Sequence, residues 1–451
     1  MEATRAIEEP SRKTPVLGEY EVVVLGGGPA GIMAAAAAGR AGRSTILIER
    51  YGFLGGAGTV SGLSSFCGLH ARVFGEHRQV VHGLADELLE RIDRLDGLNP
   101  PHISFGNRIM AQAYDTAAYK IAADEMLLSS GVKLLFHAFA VGAVMADPQT
   151  IAGVLIESKS GRGAILGKMF IDCSGDGDLA AWAGAPYEKG DPRTAMLYPT
   201  TMFRINQVDP ERAGKAGETL ARLMEEAEQA GRAKFPRKGV ILFPQKHPIE
   251  WRANLTQIRK PDGSAVDGTD LEDLAWGEVE GRRQVKDLFA FIKANAPGFE
   301  DSYIVDIAPQ IGIRETRRVV GEYQLTEDDV LDCADFPDTI GVNGWPIEAH
   351  VAGAVQVRWP RDPEGRGFHQ LPYRMILPQR IENLLVAGRC ASMTHVGQSS
   401  ARVTGPAFAM GQAAGIAADM ALQAGVAPRA IDVGRLQERL EAIGAYLGRR
   451  V

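Results

Sequence analysis

The first fifty residues carry the clearest pattern of hydrophobic and polar positions in the chain. Residues 21–25 form a short β-branched run that suits a buried parallel strand, and residues 32–39 form an alanine-dominated stretch of high helix propensity. Residues 26–31, with the sequence GGGPAG, join the two, and a second apolar run at residues 44–48 ends in Glu49. The pattern therefore predicts a strand, a GxGxxG turn, a helix and a second strand within about 30 residues.

Each part of this unit is physically suited to binding a dinucleotide. Gly26 permits the tight turn, Gly28 lets a diphosphate approach the backbone, and Gly31 lets the helix pack closely against the strand. The N–H groups at the helix N-terminus and the helix dipole both attract that anion. Glu49, about 20 residues further on, is in position to accept hydrogen bonds from the adenosine ribose. We therefore interpret the unit as a dinucleotide-binding turn.

The rest of the pattern extends this unit into a larger mixed fold. It predicts helices at residues 76–100, 115–130, 211–230 and 271–295, and strands at residues 131–136, 138–144, 151–157, 170–174, 302–308 and 340–342. The strands between residues 131 and 174 alternate with turn residues, which is typical of a small antiparallel meander. Charge, proline and tryptophan become more frequent between residues 190 and 300, which indicates a cap domain folded over the first domain.

Composition limits the classes of protein to which the chain can belong. With 451 residues, 45% of them hydrophobic, the chain is long enough for two or three domains and too apolar for intrinsic disorder. The net charge of −7 provides no basic field for nucleic acid. The polar N-terminus lacks the apolar segment of a secretory signal, and no apolar run reaches the length of a membrane span. We expect a cytoplasmic protein without nucleic-acid or membrane partners, and the sequence is compatible with a homo-oligomer.

Four scattered cysteines, Cys67, Cys173, Cys333 and Cys390, form no CxxC pair. Their spacing lacks the signature of a disulfide framework, a zinc site, an iron–sulfur centre or a dithiol redox centre. We therefore expect no metal site. Cys173 and Cys390 lie at the ends of apolar strands, and we expect both to be small buried side chains.

The residues after Glu49 favour a flavin nucleotide over a nicotinamide one. The glycine turn alone is compatible with either cofactor. Residues 50–59, RYGFLGGAGT, form a glycine-rich loop where a nicotinamide-binding domain would continue into a plain second helix. In flavoproteins with two dinucleotide-binding domains, such a loop carries the chain over the adenosine and back toward the flavin. We therefore predict FAD as the cofactor.

Several further segments match one family of flavoproteins. They are residues 170–179 (FIDCSGDGDL), 311–323 (IGIRETRRVVGEY), 371–374 (LPYR), 382–389 (ENLLVAGR), 394–398 (THVGQ), 402 (R) and 411–415 (GQAAG). Over most of residues 20–425 the chain resembles the FAD-dependent oxidoreductases related to the FAD-binding subunit of heterodisulfide reductase. These belong to the glutathione-reductase-like flavoprotein superfamily. The resemblance is specific to the family and not to a substrate.

The resemblance implies an α/β fold with an interrupted Rossmann-like FAD-binding domain, made of a parallel sheet and an antiparallel meander, and an inserted α+β cap domain. With the composition shifts, it predicts a flexible tail (1–18), a first FAD-binding segment (19–187) and the cap domain (188–370). A second FAD-binding segment (371–430) and a C-terminal helix (431–451) follow.

Two departures from the family's pattern limit what can be transferred. Many relatives carry an acidic residue after the glycine of the last strand, where it contacts the flavin ribityl chain, but here Arg389 follows Gly388. The iron–sulfur cysteines of heterodisulfide reductase assemblies are absent from the sequence. We therefore assign no carboxylate role to Arg389 and expect no electron bifurcation through such clusters within this chain.

The residues that we expect to bind FAD come from the glycine turn, the loop after it, two strand ends and a late helix. They are Gly26, Gly28, Pro29, Ala30, Gly31, Glu49, Arg50, Gly55, Gly56, Ala57, Thr59, Ser174, Gly175, Asp176, Gly388, Arg389, Gly405 and Pro406. The late helix spans residues 403–420, and its first N–H groups are expected to donate to the N1/O2 edge of the flavin. A plain core helix is the alternative.

Two residues near the late helix are candidates for chemistry beside the flavin. His395 lies between the last strand and that helix, and an imidazole can act as acid or base at neutral pH or orient a substrate. Arg402 could hold a substrate carboxylate or balance the charge of a reduced flavin. The alternatives are a structural histidine bonded to backbone and an arginine in a buried ion pair.

Arg314 and Glu315 carry opposite charges within an apolar segment that also contains Arg317 and Arg318. Because buried charges need partners, this group is either a wall of the active site or an ion-pair network at a domain interface. We expect the last two arginines to be structural and leave both interpretations open for Arg314 and Glu315.

Cys67 and His70 follow the glycine-rich loop, which is expected to run near the flavin. Three interpretations are open for them: ordinary core residues, groups that handle the substrate, or a covalent tether to the flavin. Histidine and cysteine both serve as tethers in flavoproteins.

These observations predict an FAD-dependent oxidoreductase, a dehydrogenase or reductase that moves a hydride between flavin N5 and a small organic substrate. Arginines near the expected pocket hint at an anionic substrate. One alternative is a flavin oxidase or monooxygenase that uses O2. Another is an FAD-carrying electron-transfer subunit of a larger complex, which the scattered cysteines and the cap domain disfavour.

Overall fold

The structure is a computed structural model, and it describes residues 7–192 and 194–449. In its first part, strands and helices alternate around one central sheet. The elements of this part are β1 (Val16–Leu25), α1 (Pro29–Arg40), β2 (Thr45–Ile48), β3 (Ser65–Phe66), β4 (His70–Val73), β5 (Glu76–Gln79), α2 (Leu84–Arg94), β6 (His102–Ser104), β7 (Ile109–Ala113), α3 (Thr116–Ser129), β8 (Lys133–Leu135), β9 (Phe139–Asp147), β10 (Thr150–Ser158), β11 (Gly161–Asp172) and α4 (Asp178–Trp182).

The second part leaves the central sheet and returns to it near its end. Its elements are β12 (Tyr187–Lys189), β13 (Phe203–Asn206), α5 (Pro210–Ala213), α6 (Ala216–Gln229), β14 (Ile241–Pro244), β15 (Trp251–Asn254), α7 (Leu271–Asn295), β16 (Tyr303–Ile307), β17 (Arg317–Val319), α8 (Glu327–Leu331), β18 (Thr339–Asn343), β19 (Ile347–Val351), β20 (Ala354–Arg358), β21 (His369–Pro372), β22 (Leu384–Val386), α9 (His395–Ala401), α10 (Thr404–Ala424) and α11 (Val433–Ala442).

The central sheet has seven strands in the order β8-β2-β1-β11-β10-β9, with β22 paired to β11. The strands β8, β2, β1, β11 and β22 run parallel, whereas β9, β10 and β11 form an antiparallel meander. Residues 22–25 are buried, as expected for a central parallel strand covered on both faces. The predicted α/β class, a Rossmann-like sheet with an antiparallel meander, is confirmed.

Helices α1 and α10 pack against each other over the central sheet, and glycines bring their backbones together. A Cβ on Gly411 would lie 2.1 Å from the carbonyl oxygen of Ala30, and one on Gly415 would lie 2.3 Å from that of Ala34. Almost every residue of α10 from Thr404 to Ala421 is buried. Among the described helices, none has both the length and the apolar character needed to cross a membrane.

Residues 203–307 have a hydrophobic core of their own. Their four-stranded antiparallel sheet, in the order β14-β15-β13-β16, packs with α6 and α7 around side chains such as Phe203, Trp251 and Phe299. A smaller apolar cluster around Ile258 and Ile311 lies apart from that core. These residues form a layer separate from the central sheet.

Three local expectations from the N-terminal half were wrong. Strand β1 starts at Val16, so the end of the expected tail is ordered, while residues 1–6 lie outside the described residues. The helix expected at 76–100 is only α2, because Gly75, with φ of +85°, turns β4 back onto β5. Strand β8 is not part of the meander but pairs in parallel with β2 at the opposite edge.

The C-terminal half matches its expectations more closely. Helix α7 has the expected bounds, Leu271–Asn295. The helix expected at 211–230 divides into α5 and α6, because Gly214 takes a φ of +44° between them. The C-terminal helix α11 covers only Val433–Ala442.

The buried His369 of β21 is expected to make the stability of the fold depend on pH. Its Nε2 accepts a hydrogen bond from Asn343 Nδ2 at 3.0 Å, and its Nδ1 donates to the Gln370 carbonyl at 3.0 Å, so the neutral ring fits the site. Burial lowers the pKa of His369 to about 4, below the value of about 6.5 for an unfolded histidine. The neutral His369 ring therefore makes its full contribution to the unfolding free energy above about pH 6.5. As the pH falls toward about 4, the unfolding free energy decreases by up to about 3 kcal/mol.

We expect the variant His369→Gln to lose less unfolding free energy than the parent protein between about pH 7.5 and about pH 4.5. Urea unfolding at a series of pH values measures this difference. The control is His247→Gln, which replaces an exposed histidine and is expected to keep the parental pH dependence. Equal pH dependence in the parent and in both variants would contradict the prediction.

Candidate active site

A cleft opens at the carboxyl ends of the parallel strands, where ligands bind in sheets of this type. The residues that end or directly follow β1, β2, β11 and β22 (Leu25, Ile48, Cys173 and Ala387) all line it. Its space is about 1500 Å³, part of it open to solvent. The opposite wall comes from the second part of the chain and includes Thr200, Met202, Gly312 and Ile313. The cleft thus lies between the two layers of the fold.

The glycine turn forms the floor of the cleft. Gly26 has a φ of +98°, and a Cβ on it would lie 2.4 Å from the Cys173 carbonyl oxygen. A Cβ on Gly31 would lie 1.8 Å from the carbonyl oxygen of Gly26, so this glycine serves packing and does not line the cleft. At Gly28 the nearest atom is the Gly56 Cα at 3.8 Å, so open space remains. This gap, at the N-terminus of α1, lies where a diphosphate is expected.

Glu49 is buried at the end of β2, and its side chain lines the cleft. One carboxylate oxygen accepts from the Gly27 N–H at 2.7 Å and the other from the Tyr51 N–H at 3.0 Å. Burial raises the pKa of Glu49, and these N–H donors oppose that rise. Each oxygen keeps a further lone pair for a ligand hydroxyl.

The loop after Glu49 folds back over the glycine turn. The Gly55 N–H donates to the Gly27 carbonyl at 2.8 Å, and the Thr59 hydroxyl donates to the Leu54 carbonyl at 2.7 Å. These contacts place Gly56 and Ala57 on the cleft wall, together with Arg50. Gly55 and Thr59 support the loop from behind and are not among the lining residues. Of the residues expected to bind FAD in this loop, three therefore line the cleft and two support the loop.

The end of β11 is held by a network of carboxylates. Asp172 is buried and accepts from the Ser174 hydroxyl at 2.6 Å. Ser174 and Gly175 line the cleft, whereas Asp176 lies behind it and pairs with Arg389 at 2.6 Å. Arg389 lines the cleft beside Gly388. A carboxylate is therefore present next to Arg389, although it comes from another strand end.

The N-terminus of α10 meets the loop that carries Cys67. The Gly405 N–H donates to the Cys67 carbonyl at 2.8 Å, so it is already paired within the protein. Neither Gly405 nor Pro406 is among the described lining residues, whereas their neighbours Val403 and Thr404 are. At this terminus the residues that face the cleft are therefore Val403, Thr404 and Ala407.

The arginines Arg314 and Arg402 also line the cleft. Gly411 of α10 lies against Ala30 at the glycine turn, whereas Arg402 comes just before the start of this helix. The rise of the helix therefore separates Arg402 from the glycine turn by about 10 Å. Arg314 donates through Nε to the Tyr198 carbonyl at 3.0 Å, and Arg402 donates through Nη2 to the Glu348 carbonyl at 3.2 Å. Burial lowers the pKa of Arg314, and the nearby charge of Arg402 lowers it further. Neither guanidinium forms an ion pair with a carboxylate in the described part of the chain, so the ion-pair alternative does not describe them.

Glu315 and His395 form a buried pair beside this wall. Glu315 accepts from His395 Nδ1 at 2.9 Å and from the Leu197 N–H at 3.0 Å, and it also pairs with Arg318. His395 is the first residue of α9, not part of a turn, and its Nε2 is 3.3 Å from the Thr194 hydroxyl. Neither Glu315 nor His395 is among the described lining residues. These contacts fit a positioning role, because they fix the segment that carries Arg314.

Cys67 and His70 also lie outside the described lining of the cleft. Burial raises the pKa of the Cys67 thiol to about 12, so it is not a thiolate at neutral pH. Burial lowers the pKa of His70 to about 4. These environments are typical of core residues, although the charges of Arg252, Arg402 and Arg314 also act on the Cys67 thiol.

Sequence reasoning missed two arginines of the second layer and two carboxylates, one of which, Asp178, lines the cleft. Arg252 is buried behind the lining residue Met202, and Arg237 is buried and donates to the Asn254 carbonyl of the same strand. The second carboxylate belongs to Glu348, whose carbonyl accepts from Arg402. The one signal in the sequence was Arg252 within the short run Trp251–Asn254, since a charge in a buried strand needs a reason. Arg237 lies in a loop, and nothing in its local sequence distinguishes it.

The residues present fit FAD. The floor at Gly28 leaves backbone N–H groups and open space for a diphosphate, and Glu49 has acceptor oxygens for a ribose. The cleft continues past Ser174 and Gly388 to Thr404, which gives an extended path from the glycine turn to the start of α10. Fold and site together define a dinucleotide-binding oxidoreductase.

The family model for FAD-dependent oxidoreductases matches residues 21–440, and the chain belongs to that family. The protein is therefore an FAD-dependent oxidoreductase enzyme with FAD as its cofactor. No curated protein matches the chain.

Solved structures are similar to the chain at low sequence identity. A geranylgeranyl bacteriochlorophyll reductase-like protein of Thermoplasma acidophilum is 13% identical with a TM-score of 0.47, over 94% of this chain and 83% of that one. The p-nitrophenol 4-monooxygenase of Pseudomonas putida is 12% identical with a TM-score of 0.49, over 96% of this chain and 90% of that one.

Two glycine substitutions are expected to separate FAD binding from folding. In Gly28→Ala the new Cβ meets only the Gly56 Cα at 3.8 Å, and the φ of −74° suits alanine. We expect unchanged thermal stability of the FAD-free protein and FAD affinity reduced by about tenfold or more, because the methyl group occupies the space of the diphosphate. In Gly31→Ala the Cβ would lie 1.8 Å from a carbonyl oxygen, and we expect loss of stability even without FAD.

Thermal unfolding of FAD-free protein and FAD titration followed by flavin fluorescence measure the two effects. The matched control is Gly142→Ala in β9, where the new Cβ meets Leu155 at an ordinary 3.6 Å and the residue is not among the described lining residues of the cleft. Undiminished FAD affinity in Gly28→Ala would place the diphosphate elsewhere.

Proposed function

We propose that this enzyme is a dehydrogenase or reductase that transfers a hydride between FAD and a small organic substrate bound between the two layers. The observation that carries the proposal is the continuity of one cleft from the glycine turn at Gly28 to Arg314 and Arg402. One end offers the cradle for the diphosphate, and the other offers cationic side chains for an anionic group of the substrate. When bound, FAD supplies a hydride acceptor or donor at N5.

The chain's own residues bind and orient the substrate in this proposal. Arg314 and Arg402 hold its anionic group through N–H donors. Met202 and Ile313 provide apolar contact on the same wall and exclude water from the reacting carbon. Glu315 and His395 position the Arg314 segment, as their hydrogen bond of 2.9 Å indicates.

A closer relationship to the FAD-binding subunit of heterodisulfide reductase is part of this proposal and rests on the motifs at residues 170–179 and 311–323. It supports electron transfer to a partner protein as a further candidate, and use of O2 is another. We favour an enzyme that acts on a small molecule over an electron-transfer subunit, because the arginines of the cleft are suited to a small anionic substrate. The choice between hydride transfer and use of O2 is left to experiment.

Anaerobic reduction of the enzyme-bound FAD by small organic acids, alcohols and amines tests the proposal. We expect one of these classes to bleach the visible absorbance of the flavin. We expect Arg402→Gln to lower kcat/KM for the active compound by about 100-fold with its FAD content unchanged. The matched control is Arg283→Gln on α7, an exposed arginine that pairs with Glu280 at 2.7 Å and is not among the lining residues of the cleft.

Isotope labelling separates the alternatives. We expect the product formed in air to contain no oxygen atom from labelled O2. Incorporation of labelled oxygen would instead identify a monooxygenase. Reduction of FAD only by a purified protein partner would identify an electron-transfer subunit.

A further inference from the structure

Four arginines from four different elements converge beside the cleft. Arg237 lies in the loop after α6, Arg252 in β15, Arg314 before β17, and Arg402 directly after α9. We call these four residues the arginine cluster. The first three are 2%, 5% and 9% exposed, and Arg402 is half-buried. Arg237 donates through Nη2 to the carbonyl of Asn254, which lies in the same strand as Arg252.

The cluster has hydrogen-bonding capacity that the protein does not use. Within the described residues, five of its buried nitrogens have no partner: Arg237 Nε and Nη1, Arg252 Nε, Arg314 Nη2 and Arg402 Nε. The bonds that do exist go to backbone carbonyls, such as that of Tyr198, or to the Met202 sulfur at 3.8 Å from Arg252 Nη1. No described carboxylate forms an ion pair with any of the four arginines.

One carboxylate is near the cluster but is committed elsewhere. Glu348 accepts from Trp345 Nε1 at 2.8 Å and from His350 Nε2 at 2.9 Å. Burial opposes its ionisation, but the His350 hydrogen bond and the charges of Arg402 and Arg314 hold the pKa of Glu348 well below its usual value. Glu315 pairs with Arg318 and His395. Four guanidiniums against one carboxylate leave about three uncompensated positive charges.

Such an arrangement is costly in the ligand-free protein. A buried charge without a partner destabilises the protein, and neighbouring like charges add to that cost. Proteins retain such costs at binding sites, where function opposes stability. The expected site of the FAD diphosphate is the glycine turn at the other end of the cleft, and the flavin ring carries at most one negative charge. FAD therefore cannot neutralise the cluster.

We infer that the arginine cluster binds a small organic acid with two carboxylate groups, and that this is the substrate class of the enzyme. The inference rests on the proposed function for the identity of the site. Guanidinium groups bind carboxylates in bidentate geometry, and two carboxylates would balance most of the excess positive charge. Arg314 and Arg402 are at the cleft surface, while Arg252 reaches it behind the lining residue Met202.

Binding of succinate to the FAD-loaded enzyme tests this inference without turnover. We expect succinate to raise the melting temperature and to perturb the visible flavin spectrum in a saturable way, with malonate and glutarate as probes of other lengths. The neutral isostere succinamide, and sodium chloride at equal ionic strength, are expected to do neither.

Two volume-matched variants distinguish a binding role from a structural one. In Arg252→Met and Arg237→Met we expect the melting temperature without anion to stay equal or rise, because an unpartnered buried charge is removed. We also expect the dissociation constant for succinate to increase by about tenfold or more. The exposed Arg283→Gln variant is expected to leave both quantities unchanged. If either methionine variant fails to fold, Arg252→Lys and Arg402→Lys, which keep the charge but lose the bidentate geometry, carry the test of affinity.

The inference is overturned if none of the three dicarboxylates binds, or if the variants bind succinate as tightly as the parent protein. Inorganic phosphate that binds more tightly than succinate would also overturn it, because a phosphorylated substrate would then fit better. Binding of succinate by an enzyme whose FAD no organic compound reduces would refute the proposed function and leave the anion site intact.

Discussion

The structure depends on the close approach of backbone to backbone around the N-terminus of α1. Here α1 lies against its own turn at Gly31, and its first residues lie against α10 at Gly411, where a side-chain Cβ would be 2.1 Å from the Ala30 carbonyl oxygen. The turn itself lies against β11 through Gly26. Three glycines therefore bring one helix terminus into contact with the sheet on one side and with α10 on the other. This terminus can present its N–H groups to an anion only in that position.

This constraint explains which parts of the fold were predictable. The GxGxxG turn, α1 and the acidic end of β2 are encoded within thirty residues, and their physical requirements are local. Helix α7 was equally clear, because its cap at Asp270 and its apolar spacing are local as well. The prediction of one helix over 76–100 was wrong because Gly75 lies in the turn of the hairpin between β4 and β5. A glycine in a charged stretch does not by itself reveal a positive φ. The position of β8 at the far edge of the sheet depends on its tertiary contacts with β2, which the local sequence pattern does not predict.

The candidate site was also predictable in part. Residues near the diphosphate, such as Gly28 and Glu49, lie where the motif places them. At the other end the sequence pointed to Arg314 and Arg402 but not to Arg237 and Arg252, because four separate elements bring these side chains together. His395 was expected in the cleft from its position in the chain. Its place at the first turn of α9 instead directs the ring toward Glu315.

The two ends of the cleft are suited to binding anions in opposite ways. At the glycine turn the protein removes side chains, so that an anion meets neutral backbone dipoles and little energy is stored when the site is empty. At the arginine cluster it concentrates full charges in a buried place, with several donors left without partners. The first strategy suits a cofactor that stays bound, because the fold does not depend on it for charge balance. The second suits a ligand that enters and leaves, because relief of the stored cost adds to the affinity only while the ligand is present. This difference is the physical reason to assign the diphosphate to one end and the exchanging substrate to the other.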